Sequence, residues 1–194
     1  MRIAVSGSHC SGKSTLIEDF VASHPEYVHE PEPYEWLTEL RGEQFGDELE
    51  ARDFHRQLEL SAERFRGFQP GERIIAERCP VDFLAYLLAL GDLRRGGDAA
   101  SLAAPAVELV ARSLEHIDLL VVLPLNDADG IVAADEEGLE LREAMNERLL
   151  DMVANDEFGM FGDGGTQVIE LAGTPDRRLA ALERAMEQAR NQSA

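Results

Sequence analysis

Lysine is all but missing from this chain: Lys13 is the single one among 18 basic side chains, so the other 17 are arginines. Against those 18 stand 38 acidic residues, a formal charge of −20 with no basic run or stripe. Nucleic acid and anionic membrane surfaces are therefore excluded as expected partners, because both need a basic footprint. Cysteine is scarce as well. Cys10 and Cys79 are too few for a disulfide framework and point to a reducing compartment. The longest apolar run, Phe83 to Leu90, falls well short of the roughly 18 residues that a bilayer-spanning helix needs. No leader-like sequence opens the chain, so the expected location is cytoplasmic. Repeats and low-complexity linkers are also lacking, and 194 residues suit one domain, 1–194.

The one lysine lies in Gly7-Ser8-His9-Cys10-Ser11-Gly12-Lys13-Ser14-Thr15, a complete G-x-x-x-x-G-K-[ST] phosphate-binding loop. Its context is the one the motif requires. Arg2 to Ser6 reads as a short buried strand, and Leu16, Ile17, Phe20 and Val21 recur at helical spacing after the loop. Backbone N–H groups from Ser8 to Ser14 are expected to converge on phosphates at a helix N-terminus, with Lys13 reaching the outer phosphates and Ser14 ligating Mg²⁺. His9 and Cys10 fill variable positions of a loop that acts through its backbone. ATP and Mg²⁺ are the expected cofactors.

Strands alternate with helices along the rest of the chain. Strands are expected at 27–29, 73–77, 118–123 and 166–171, and helices at 34–41, 51–65, 81–90, 103–114 and 139–153. A final helix follows Gly173-Thr174-Pro175, with threonine as N-cap and proline at its first position. The pattern predicts an α/β fold: a doubly wound, parallel, five-stranded sheet with helices on both faces and ligands at the carboxyl ends of its strands. The acidic stretch from Asn126 to Gly138 reads as a mobile segment within a lid at 124–148. Arg142 and Arg148 border its apolar stripe of Leu141, Met145, Leu149 and Met152.

The same rim receives a second group of charges. Strand two is followed by Glu30-Pro31-Glu32-Pro33 and Trp36, and strand three ends in Glu77-Arg78, with Cys79-Pro80-Val81-Asp82 and Ala85-Tyr86 beyond. Phosphoryl transfer needs such an inventory: a carboxylate to take a hydroxyl proton, an acid near Mg²⁺, and guanidinium groups to balance phosphoryl charge. Trp36 and Tyr86 are expected in the core, and Gln57 on the long helix is expected to face water.

Glu77-Arg78 with Ala85-Tyr86 resembles the D-R-Y-x-x-S-x-x-A-Y stretch of thymidylate kinases and the E-R-S stretch of deoxynucleoside kinases. Glutamate-proline with tryptophan resembles the E-P-x-x-x-W element of the latter. Nicotinamide riboside kinase domains and related AAA-like small P-loop kinases share the layout. The resemblance implies a P-loop kinase acting on a nucleoside, nucleotide or related metabolite. It also implies a base at Glu30 or Glu32, Glu77 at Mg²⁺, Arg78 on the acceptor, and an adenine-contacting turn at Gly173, Thr174 and Pro175. Trp36 stands one residue too far from Glu30-Pro31 and one too near Glu32-Pro33, so the choice of base stays open. Aspartate replaces the family serine at Asp82.

Other nucleotide-dependent classes fit less well. A GTPase reading guanine through N-K-x-D needs a second lysine, and a remodelling ATPase needs a strand ending in adjacent Asp-Glu. An ATP-binding regulator or an ATPase without a small-molecule acceptor remains the alternative, and the sequence leaves a homodimer open.

Overall fold

The structure is a computed structural model that describes residues 1–45, 50–95, 97–126, 138–162 and 165–192. Its elements run β1 (Arg2–Ser6), α1 (Lys13–Ser23), β2 (Val28–Glu30), α2 (Pro33–Glu35, continued by a π-helical stretch Trp36–Leu40), α3 (Ala51–Gly67) and β3 (Ile74–Glu77). They continue through α4 (Pro80–Asp92), α5 (Ala99–Leu114), β4 (Leu119–Val122), α6 (Leu139–Asn155), β5 (Gln167–Glu170) and α7 (Pro175–Gln192). The five strands form one parallel sheet in the order β2-β3-β1-β4-β5. This is the doubly wound α/β fold the alternation predicts.

All residues of β1 and β4 are buried, because both strands lie inside the sheet with helices over each face. Alternation along β1 divides the core. Ile3 and Val5 pack with Leu16, Ile17 and Phe20 of α1 and with Leu182 and Met186 of α7. Ala4 faces the opposite cluster, built by α3, α4, α5 and α6, where α4 is apolar almost all round and lies among the other helices. Met145, Leu149 and Met152 of α6 are fully buried there, as the stripe predicts. Each such side chain contributes about 1.5–3 kcal/mol of transfer free energy.

Several boundaries differ from the sequence-based expectation. β2 is shifted one residue toward the C-terminus, and Tyr27 instead packs edge-on against Phe20 at 5.0 Å. Helix α5 starts at Ala99 rather than Ala103 and carries Pro105 inside it. Proline removes one helical N–H, and its exposed position lets water take the freed carbonyl. Gly91 and Asp92 end α4 rather than opening a loop. Of the segment expected to be mobile, residues 127–137 lie outside the described residues.

Candidate active site

The carboxyl ends of β1 and β3 meet where the chain leaves β1 for α1, beside the point at which β3 and β4 flank the central strand. Gly7 turns out of β1 with φ 155°. A Cβ there would lie 2.5 Å from Ser11 Oγ and 2.7 Å from the Leu123 carbonyl oxygen. Only glycine fits such a close approach. Gly12, with φ 87°, leads into Lys13, the first residue of α1. The hydroxyls of Ser8 and Ser11 are buried in this loop without a hydrogen-bond partner.

Lys13 is 4% exposed and donates from Nζ to the Ser8 carbonyl at 2.9 Å. Burial, with Arg78 nearby, pushes its pKa down to about 8, and Asp82, Glu77 and Glu32 oppose that only in part. A desolvated ammonium short of counter-charge and orphaned hydroxyls in a glycine-framed loop are what a polyphosphate would satisfy. Ser14 Oγ donates to Glu77 Oε1 at 2.8 Å, which places the two expected Mg²⁺ residues side by side. Among the described residues no group of three or more His, Cys, Asp or Glu is arranged to hold a metal ion. Ser14 and Glu77 thus suit a Mg²⁺ ion that draws its remaining ligands from phosphate and water.

Two arginines from the later helices, Arg142 and Arg178, secure the loop from outside. Arg142 of α6 donates to the carbonyls of His9 (2.8 Å) and Cys10 (3.3 Å), so the structure brings this residue to the loop. Arg148 is not brought there. Its guanidinium forks onto Asp92, with Nη2 2.6 Å from Oδ1, and Glu157 lies 3.9 Å away. Asp92 at the end of α4 and Glu157 just past α6 outcompete the loop for it. Arg178, 3% exposed, donates to the Ser11 carbonyl at 2.7 Å, a contact sequence reasoning missed. It lies about one helical turn beyond Gly173, Thr174 and Pro175, and so ties that turn to the loop. A doubled arginine opening a capped helix was the available signal.

Just past β3, Arg78 adopts φ 65°, a left-handed conformation rare for a side-chain-bearing residue. Its Nε donates to Glu32 Oε2 at 2.8 Å and its Nη1 to the Gly7 carbonyl at 3.1 Å, so one guanidinium links the carboxylate that opens α2 to the phosphate loop. Glu30 is held separately by Arg64 of α3, and the guanidinium groups of Arg64 and Arg41 lie 5.5 and 5.0 Å from the Trp36 ring centre. Tyr86 is buried and stacked on Phe54, centroids 4.4 Å apart, with the Arg78 guanidinium 5.6 Å from its ring. Gln57 does not face water: it is 3% exposed, and its Nε2 and the Ser61 hydroxyl one turn later have no partner. Phe54, Gln57, Ser61 and Arg64 share one face of α3, so these orphan groups lie between Tyr86 at one end and Glu30 with Trp36 at the other.

Comparison with known proteins places this arrangement. The sequence profile of the AAA domain family matches residues 2–191. The chain belongs to the AAA domain family. It is a P-loop nucleotide-binding domain of that group, and its 2-3-1-4-5 sheet recurs in solved kinases. Deoxyadenosine kinase from M. mycoides with bound dATP superposes with a TM-score of 0.65 at 15% identity, over 96% of this chain and 100% of that one. NadR in complex with NAD and AMP-PNP gives 0.64 at 21% identity, over 95% of this chain, which spans 48% of NadR. Thymidylate kinase from Candida albicans gives 0.60 at 18% identity, over 97% and 92%. No curated protein sequence matches the chain. In this AAA domain no helix among the described residues is long and apolar enough to cross a membrane.

Proposed function

We propose that this protein transfers the γ-phosphoryl group of ATP to a small-molecule acceptor, a nucleoside, nucleotide or related metabolite. The observation that carries the reading is the Arg78 bridge, which sets a carboxylate, Glu32, one guanidinium away from the first residue of the phosphate loop. Glu32 rather than Glu30 is then the base. Its charge is among those felt by Lys13 and His9, whereas Glu30 is committed to Arg64.

In this reading Lys13 draws negative charge from the outer phosphates, and the loop N–H groups hold the triphosphate in line with the acceptor. Mg²⁺, held by Ser14 and Glu77, would neutralise phosphate charge. The acceptor oxygen gives its proton to Glu32 as its bond to the γ-phosphorus forms, and the bond from that phosphorus to the bridging oxygen breaks to release ADP. Arg78 holds the acceptor beside Glu32. Arg142 exchanges the His9 and Cys10 carbonyls for phosphate oxygens when the nucleotide binds. Gln57 and Ser61 offer neutral hydrogen-bonding groups to the acceptor's body, which suits a ring bearing carbonyl or amide functions.

The test is ATP turnover with and without a panel of nucleosides and nucleotides. Acceptor-dependent ADP release, lost in Lys13→Ala and Glu77→Ala, is expected. Hydrolysis that no acceptor stimulates would mark an ATPase or ATP-binding regulator instead.

A further inference from the structure

Asp82 is fully buried, and its carboxylate accepts four hydrogen-bonding or ionic contacts from three segments. Oδ2 receives the Ser6 hydroxyl at 2.6 Å and the Cys79 N–H at 2.9 Å, while Oδ1 receives the Gly7 N–H at 2.9 Å and faces Arg78 Nη1 at 3.8 Å. The cap on α4 accounts for only one of these. The others fall on the last residue of β1, the first residue of the phosphate loop and the arginine of the acceptor side.

Gly7 is therefore gripped at both ends of its own backbone: its N–H by Asp82 and its carbonyl by Arg78. A serine at position 82 would offer a short neutral hydroxyl, unable to bond all three donors or to balance a buried guanidinium. We propose that Asp82 is a positioning residue that registers the phosphate loop against the acceptor base, by fixing Gly7 directly and by holding Arg78 between Gly7 and Glu32. The proposal rests on the kinase reading for its catalytic consequence, but not for its effect on nucleotide binding.

Asparagine is the incisive replacement because it keeps the shape and loses the symmetry. If its oxygen takes the Gly7 N–H, its NH₂ confronts the Cys79 N–H. If the oxygen takes Ser6 and Cys79, the NH₂ confronts Gly7 N–H and Arg78. Either orientation sets donor against donor in a site without water access, which costs about tenfold or more in whatever depends on that geometry.

The experiment measures ATP-Mg²⁺ affinity by calorimetry and transfer kinetics for the wild type, Asp82→Asn, Arg78→Ala and the double variant. Asp82→Asn is expected to weaken ATP binding and raise the ATP KM by about tenfold and, through the loosened Arg78, to lower kcat as well. The double variant is expected to lose less than the product of the single losses, because both residues act on Gly7. A folded Asp82→Asn protein that binds ATP as the wild type does, or fully multiplicative losses, would overturn the proposal and leave Asp82 as a helix cap. Where Asp82→Asn does not fold, Arg78→Ala answers alone: it spares the cap, so undiminished ATP affinity would overturn the coupling. Wild-type protein that binds ATP without serving any acceptor would count against the kinase reading only, since the binding arm still decides on Asp82.

Discussion

Because Lys13 is the only lysine, its titration can be followed without interference from other ammonium side chains. Burial pushes its pKa in the folded protein down from 10.5 to about 8, so between those values the unfolded chain binds more protons than the folded one. Folding stability must then rise with pH across that window, by about 3 kcal/mol, whereas below pH 8 the full cost of the buried charge is present. A bound triphosphate supplies the counter-charge that is lacking and returns the pKa to its ordinary value or above. ATP binding at pH 8.5 should therefore take up about three quarters of a proton, and at pH 7 only about a tenth. Calorimetry in two buffers of different ionisation enthalpy reads this directly, and at pH 8.5 free ATP is already fully ionised and contributes nothing. Lys13→Met should abolish the pH-dependent gain in stability. Buffer-independent heats at pH 8.5 would refute the view that Lys13 lies desolvated and under-compensated before the nucleotide arrives.

Glu32→Gln should lower kcat by about a hundredfold or more with the ATP KM nearly unchanged, while Glu30→Gln, which releases Arg64, should act mainly on the acceptor KM; steady-state kinetics separate the two. Gly7→Ala forces a Cβ against Ser11 and the Leu123 carbonyl, so ATP binding should fall by at least about tenfold, in an equilibrium titration. Gln57→Leu removes a buried orphan amide and should raise thermal stability by about 1 kcal/mol while raising the acceptor KM. A melting curve and one kinetic titration check that trade.

The legible parts of this protein were those set by local pattern. The phosphate loop is a contiguous motif with its strand and helix on either side, and β4 announces burial through an unbroken apolar run. Helix boundaries were less visible where small residues hide periodicity, as in the Ala-rich start of α5. At the site, the pairing of Ser14 with Glu77 followed from the loop motif and strand order together, since Ser14 lies in the first turn of α1, just past the loop that leaves β1, and Glu77 ends the adjacent β3. Arg148 and Arg142 could not be told apart in sequence, because both border one apolar stripe and differ only in which end of α6 meets the loop. Gln57 and Arg178 were missed for a related reason: burial of a polar side chain depends on what packs over it, and no spacing encodes that. Asp82 was visible only as a departure from serine, and its four contacts became apparent when β1, the loop and α4 were brought together.

In the proposed reaction a phosphoryl group leaves ATP for a small molecule held beside Glu32. The most direct measurement follows the γ-phosphorus of ATP by ³¹P NMR in the presence of Mg²⁺ and a mixture of nucleosides and nucleotides. A new phosphomonoester or phosphoanhydride signal is expected to grow in step with ADP, absent in Lys13→Ala and strongly slowed in Glu32→Gln. Inorganic phosphate as the sole phosphorus product beside ADP, at a rate indifferent to every acceptor, would contradict it.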